Sequence, residues 1–462
     1  MSNLTPFNHV SDRVRELIVK SSGETRLGDT EFNALALELF RLQSESIGPL
    51  RSLCLARGIE PEVVRDWRDI PAMPTTAFKD LDLTCLPVAQ RTAVFLSSGT
   101  TDQRPSRHFH WAESLALYEA SLLAWFDQCV MSELFDRRKR VVSEESPSPR
   151  PSPPVGERVP EGWVRGIPGN SKSMAVEPVL TIFSLTPPVE AVPHSSLAHM
   201  FDCVARRHAP DAHGFFGRVN SDGGWDLDFV SLMAGLAEAQ SASNPVLLLG
   251  TAFSFVHLLD RMKSERIGIQ LPPGSRVLET GGYKGRSRAL PKFELHKRIR
   301  IRLGVPEDRI VCEYGMSELS SQAYDKGQRP ETEGRDSKSR ESRMISLNRE
   351  SPSPHPSPPM GERVPEGRPR GIPGSGVAEN NSATDERPFH FPPWARSVIV
   401  SPETGEEVEE GAVGLIRVYD LANVYSVMAV QTGDLAVKNS DGFELIGRFA
   451  GAEPRGCSLM TI

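Results

Sequence analysis

Four short stretches of the chain combine residue types that suit the chemistry of a nucleotide. The first is Ser97, Ser98, Gly99, Thr100 and Thr101, which follow the apolar run Ala93 to Leu96. Hydroxyls around a flexible glycine, with backbone amides converging in the turn, suit a phosphate anion. A plain Ser/Thr turn has the same composition. No Gly-Lys-Ser/Thr follows, which separates this loop from the P-loop of other nucleotide enzymes. The second stretch, Glu279 to Gly285, places Gly281 and Gly282 at a strand end, where absent side chains let a flat ring approach the backbone. Lys284 there meets a phosphate or a carboxylate, or is simply solvated beside a glycine turn. In the third, Tyr314 and Gly315 precede Met316, Ser317 and Glu318. An aromatic ring can stack on a base, and Glu318 is a hard oxygen ligand of the kind Mg²⁺ takes; a strand followed by a turn with a surface glutamate reads equally from these residues. The fourth, Gln431 to Asp434, is expected in a turn after an apolar stretch, where the Asp434 carboxylate can accept hydrogen bonds from two ribose hydroxyls. A bare Thr-Gly-Asp carries little weight alone.

One further residue has the chemistry of a nucleophile. Cys457 lies five residues from Ile462, on a segment with Gly451, Arg455 and Gly456. A neighbouring guanidinium lowers a thiol from its usual pKa of about 8.5 and raises the reactive thiolate fraction. An idle thiol is the alternative. The other cysteines (Cys54, Cys85, Cys129, Cys203 and Cys312) are scattered, with no pair at metal-ligand spacing and no disulfide framework, and read as reduced thiols.

Positioning these residues requires an α/β scaffold, and the chain has the pattern of one. Apolar runs predict strands over Ala93 to Leu96, Leu180 to Leu185, Val246 to Leu249, Ser275 to Thr280, Ile310 to Glu313, Ser397 to Val400 and Gly414 to Tyr419. Amphipathic stretches predict helices over Asp12 to Ser21, Asp29 to Ser44, Ala112 to Cys129, Ser195 to Arg207, Phe253 to Lys263 and Lys292 to Leu303. From Val398 onward, short strands and turns predict a small β-rich subdomain. One segment repeats: Glu145 to Ile167 recurs with few changes from Glu350 to Ile372. Both copies are rich in proline, serine, glycine and arginine without apolar periodicity, so insertions over 138–176 and 328–386 are expected to be disordered.

Bulk properties narrow the class further. With 462 residues the chain can bury a real core. A net charge of −7 supplies no basic field for a phosphate backbone, which argues against generic nucleic-acid binding. No stretch approaches the roughly 18 apolar residues of a membrane span, and Met1 to Lys20 lack the pattern of a secretory signal, so a cytoplasmic protein is expected.

The order of the motifs is more specific than any one of them. A Ser/Thr/Gly loop, then Tyr314 to Glu318, then Thr432 to Asp434, then Gly447 and Arg448, resembles the core of the adenylate-forming superfamily. Within it the chain resembles the acyl-protein synthetase of the bacterial fatty acid reductase, and more distantly phenylacetate-CoA ligase. The likeness rests on Ile70, Pro71 and Pro74 to Lys79; Ser106 and His108 after the hydroxyl loop; Pro193 to Ser196 and Ala198; Pro392, Pro393 and Trp394; and Glu453 to Ser458. It implies a large α/β adenylation domain over residues 1–446, interrupted by the two insertions, and a vestigial tail over 447–462 carrying Cys457. It further implies ATP and Mg²⁺ as cofactors, with Ser97 to Thr101 on the phosphates, Gly281, Gly282, Tyr314 and Gly315 around adenine, Asp434 on ribose and Glu318 on the metal. The superfamily's phosphate loop continues with glycine and lysine, whereas Asp102, Gln103 and Arg104 follow here. Its mobile C-terminal domain with a catalytic lysine is expected to have no counterpart here, so Lys284, Arg448 or Arg455 would stabilise the phosphate undergoing attack. The implied activity is conversion of a carboxylic acid, in the family a fatty acid, to acyl-AMP, then transfer to Cys457 for delivery to an acyl reductase partner. Self-association is left open. An acyl- or aryl-CoA ligase and a scaffold without activity are the competing readings.

Overall fold

The computed structural model describes residues 4–21, 27–97, 104–132, 179–221, 224–281, 290–325, 387–440 and 442–449. Both expected insertions, 138–176 and 328–386, lie wholly outside them, as do Ser98 to Thr101, Gly282, Lys284 and Cys457.

The fifteen described strands are β1 Met73–Pro74, β2 Ala93–Leu96, β3 Arg107–His110, β4 Thr181–Ser184, β5 His213–Phe215, β6 Gly217–Val219, β7 Trp225–Leu227, β8 Val246–Thr251, β9 Arg276–Thr280, β10 Ile310–Tyr314, β11 Ala323–Tyr324, β12 Ala395–Val400, β13 Val413–Asp420, β14 Ala429–Asn439 and β15 Gly442–Arg448. The helices used below are α1 Thr5–Ser21, α2 Asp29–Ser46, α3 Gly48–Ala56, α4 Ala77–Asp80, α5 Ala112–Phe126, α6 Ser196–His208, α7 Phe229–Ser241, α8 Ala252–Ser264 and α9 Lys292–Leu303.

The larger sheet has the order β11-β10-β9-β8-β4-β5, parallel except for β11. All six residues of β8 are buried. Side chains alternate across a strand, and Val246 and Leu248 join one core with α7, α8 and α9 while Leu247 and Leu249 join another with α1, α5 and α6. Coverage of both faces explains why these strands read as unbroken apolar runs rather than as alternating ones. Helix α8 starts on a reciprocal cap: Ser254 N–H donates to Thr251 Oγ1 (3.0 Å) and Thr251 N–H to Ser254 Oγ (2.9 Å). Helix α9 stops at Gly304, whose φ of 71° is a left-handed conformation suited to glycine.

The second sheet is antiparallel over β12, β13 and β14, and the far edge of β14 is shared. Strand β1 pairs with its start in parallel at Val430 and Gln431, and β15 pairs with its remainder from Asp434 to Asn439. The β-rich C-terminal part is thus present, begins at Ala395 and recruits a strand from residue 73. A double bridge joins the sheets: Phe389 pairs with Phe443 and His390 with Tyr324.

The structure corrects several sequence expectations. Gln431 to Asp434 lie inside β14 and not in a turn, because β13 pairs with the strand on either side of the motif, at Gln431 and Leu435, and an irregularity in the register takes up the residues between. Helix α1 begins at Thr5, seven residues earlier than expected, since Phe7 and Val10 extend the buried stripe of Val14, Leu17 and Ile18. Helices α3 and α7 were not foreseen. The first opens with Gly-Pro, tolerated in a first helical turn. The second buries only Phe229, Leu232, Leu236 and Ala239. Helix α5 ends at Phe126 and passes into a π-helical turn, Asp127–Met131.

Candidate active site

Tyr314 of the third motif meets Asp434 of the fourth through a direct hydrogen bond at the C-terminal ends of β9 and β10, and His108 and Glu313, beside the described ends of the first two motifs, tie these to the same place, the edge where open α/β sheets bind ligands. Strand β9 ends at Thr280, paired with Glu313 across β10. Gly281 follows with φ of 75°, which a residue with a Cβ adopts only at a cost. Next on β10, Tyr314 is buried edge-on to Phe443 (5.4 Å between centroids) and donates its phenol O–H to Asp434 Oδ2 at 2.9 Å. The other oxygen, Oδ1, lies 3.2 Å from Arg448 Nε. Asp434 and Arg448 face each other across β14 and β15, so the sheet register itself brings them together. Thr432 Oγ1 accepts from Asp434 N–H (3.1 Å) and donates to Ile416 O (2.8 Å), fixing the strand under the carboxylate. A carboxylate offers about four lone-pair directions, so Asp434 retains acceptor capacity beside Tyr314 and Arg448.

The hydroxyl loop enters from a hairpin, β2–β3. Its base is closed by Ser97 N–H to Ser106 O (3.1 Å) and Ser106 N–H to Ser97 Oγ (2.8 Å). Two residues on, the buried His108 Nδ1 stands 2.8 Å from Ser317 O. A carbonyl only accepts, so Nδ1 carries the proton. This bond ties the hairpin to Ser317–Glu318. Burial lowers the His108 pKa to about 4, against the opposing Ser317 hydrogen bond and the nearby Glu318 charge, so the ring is neutral at pH 7. Burial, then His108 and His199, hold His110 well below its usual value.

Glu318 is fully buried, not a surface glutamate. Its Oε2 accepts from Ser317 Oγ at 3.2 Å. The turn after β13 holds the segment around it. Asn423 Nδ2 donates to Glu318 O (2.9 Å), Asp420 Oδ2 accepts from Ser320 N–H (2.9 Å), and Asp420 Oδ1 accepts from Ser321 Oγ (2.8 Å). A buried relay reaches Asp420 from the other side. Trp394 Nε1–H donates to Ser121 Oγ (2.8 Å), leaving the Ser121 hydroxyl to donate to Ser321 Oγ (3.0 Å). Burial pushes the Asp420 carboxyl up to about 6, although its hydrogen bonds from Ser321, Ala422 and Ser320 pull it down.

Of the residues singled out from sequence, Ser97, Gly281, Tyr314, Gly315, Glu318, Asp434 and Arg448 are described, and the contacts above link their motifs. Gly315 packs closely on the Glu313 side chain, whose carboxylate would have to move to admit a Cβ there. Ser98, Gly99, Thr100, Thr101, Gly282, Lys284 and Cys457 lie outside the described residues. Sequence reasoning missed the supporting roles of Glu313, Asp420 and Asn423. Glu313 accepts from Thr280 Oγ1. Burial pushes its carboxyl up to about 7, with the Thr280 hydrogen bond opposing and the Glu279 charge adding.

A single oxygen ligand such as Glu318 suits Mg²⁺, which is commonly held by one or two carboxylates together with substrate phosphates and water. The buried carboxylate with a hydroxyl donor beside it fits that ligand chemistry.

No family model matches the chain. No curated protein matches it either. Among solved structures, the chain resembles an open conformation of 2-hydroxyisobutyryl-CoA ligase in complex with 2-HIB-AMP and CoA, with a TM-score of 0.53 and 12% identity, covering 92% of this chain and 72% of that one. The same enzyme in the postadenylation state with 2-HIB-AMP gives a TM-score of 0.52 at 11% identity, over 92% and 69% of the two chains. In the thioesterification state the values are 0.52 and 12%, over 91% and 68%. Likeness at this identity shows a common fold. The chain therefore has the α/β fold expected of an adenylate-forming domain, with its β-rich C-terminal part.

Proposed function

We propose that this protein activates a carboxylic acid with ATP as an acyl-adenylate and transfers the acyl group to a cysteine thiol of its own chain. The observation that carries the first half is the convergence of the motifs, above all Tyr314 and Arg448 on the two oxygens of Asp434 together with the His108 bond to Ser317. The fold neighbours, solved with an acyl-AMP, agree with it.

In the first step a carboxylate oxygen attacks the α-phosphorus of ATP, the α–β bridging bond breaks, and pyrophosphate leaves. Ser97 to Thr101 bind the phosphates, Gly281, Gly282, Tyr314 and Gly315 line the adenine, and Asp434 holds the ribose. Arg448 and Lys284 offset the negative charge that develops on the attacked phosphate; such fixed charges are a principal source of catalysis. Glu318 would hold Mg²⁺, which neutralises phosphate charge when bound. In the second step the Cys457 thiolate attacks the acyl carbonyl carbon, the bond to AMP breaks, and a thioester remains. An acyl reductase is the proposed recipient, and a long-chain fatty acid the proposed substrate. The insertions 138–176 and 328–386 are proposed to be additions to the adenylation domain without a part in this chemistry.

A second reading, release of the acyl group to coenzyme A, is favoured by the CoA present in a fold neighbour. Acid-dependent exchange of labelled pyrophosphate into ATP tests the shared first step. Exchange stimulated by a fatty acid is expected; none with fatty, aryl or short-chain acids would refute adenylation.

A further inference from the structure

We propose that Glu119, His199 and Cys203 form a binding site for one zinc-class divalent metal ion, located between α5 and α6 behind the strand that leads into the hydroxyl loop. His199 and Cys203 are four residues apart on α6, which sets them on one face, one turn above the other. Glu119 comes from α5, with Oε1 3.0 Å from His199 Nε2. The three ligand atoms all lie within 4.8 Å of one another, the one such cluster among the described residues. Tetrahedral zinc with bonds of about 2.0–2.3 Å would draw its ligand atoms to about 3.3–3.8 Å apart, a contraction that side-chain rotation supplies. Imidazole, carboxylate and thiol together select zinc or a similar transition ion over Mg²⁺ or Ca²⁺, which separates this site from Glu318. A fourth position is left for water.

The proposed ligands are buried or partly buried. Cys203 is buried, and Phe95 and Tyr118 wall the His199 ring at 5.3 and 5.9 Å between centroids. Arg206 Nη2 lies 3.6 Å from Cys203 Sγ and 2.8 Å from Asp202 Oδ2, so a metal on the sulfur would leave that guanidinium to Asp202 alone. Burial, and next the Glu119 charge, push the Cys203 thiol up to about 12, so without a metal it is protonated at neutral pH. Metal binding forms the metal–sulfur bond and releases the thiol proton to solvent. The site bears on the loop through the start of α6: Leu96 N–H donates to His194 O (2.9 Å), and His194 Nδ1 lies 3.1 Å from Val94 O. An ion joining α5 to α6 would therefore brace β2, whose next residue is Ser97.

The test uses the full chain, stripped with chelator and titrated with zinc or cobalt(II) alone. The proposal expects one equivalent of zinc per chain, a thiolate-to-cobalt charge-transfer band, and a melting temperature that falls on chelation. Cys203→Ser should abolish the charge-transfer band and weaken zinc binding by more than about 100-fold, beyond what loss of an outer-shell partner costs. Glu119→Gln, at a partly exposed position, should weaken zinc binding while keeping the native circular dichroism, and serves if the cysteine variant does not fold. Absence of stoichiometric zinc would overturn the proposal. So would unchanged zinc content and cobalt spectrum in Cys203→Ser, since the metal would then sit on other thiols.

Discussion

Glu318 and Glu313 stand five positions apart, and their environments assign them different work. Glu318→Ala should lower acid-dependent pyrophosphate exchange by at least about tenfold, equivalent to about 1.4 kcal/mol of transition-state stabilisation; full exchange in a folded variant would remove the metal assignment. Glu313 is a structural acid with a pH signature. Its carboxyl is raised to about 7 in the folded protein, chiefly by burial, against about 4.3 in an unfolded chain. Between those values the folded state binds more protons than the unfolded one, so stability falls as pH rises through the window. Relative to Glu313→Gln, which has no such charge, the wild type should lose up to about 3 kcal/mol of unfolding free energy between pH 4 and pH 8. Urea titrations at the two pH values measure this, and parallel behaviour of the two proteins would contradict it.

At the scale of elements, the site depends on a polar clasp that holds the connection between β13 and β14. Gln43 of α2, fully buried, donates through Nε2 to the carbonyls of Asn423 (2.8 Å), Val424 (3.1 Å) and Ser426, and accepts from Met428 N–H (3.0 Å). Asn423 in turn holds the Glu318 carbonyl. Each buried polar group left without its partner costs about 1–3 kcal/mol. Gln43→Ala should therefore destabilise by at least about 2 kcal/mol and also reduce pyrophosphate exchange, although it touches no motif residue; an unchanged urea midpoint would show that the clasp is dispensable. Elements like this mark the limit of the sequence reading. Strands β8, β9 and β10 and helix α9 were legible because apolar runs and amphipathic periodicity record burial directly. Glu318 was recognisable as a ligand type, yet its full burial was not, because Asn423 and Gln43 lie far from it in sequence and carry no periodic signal. Thr-Gly-Asp has turn composition and so reads as a turn; pairing of Asp434 with Arg448 on one edge of β14, and of Gln431 and Leu435 with β13 on the other, overrides that preference, as sheet context commonly does.

At the scale of the whole molecule, two sheets meet at the candidate site, where Asp434 of the smaller sheet, paired with Arg448, accepts from Tyr314 of the larger. Neither copy of the proline-rich repeat carries periodic apolar surface, so a variant lacking residues 143–172 and 337–376 should melt at least as high as the parent; a large fall in melting temperature would show that they pack. The central proposal spans the chain from the hydroxyl loop to Cys457, and one experiment reads both of its steps. Wild type and Cys457→Ser are incubated with labelled fatty acid and Mg·ATP without coenzyme A, and acyl-AMP and protein-bound label are measured together. Serine keeps the size of cysteine but is barely ionised near neutral pH. Both proteins should form acyl-AMP, and only the wild type should carry a hydroxylamine-labile label. Equal labelling of the two would contradict the assignment of Cys457, and absence of acyl-AMP from both would contradict the adenylation on which it rests.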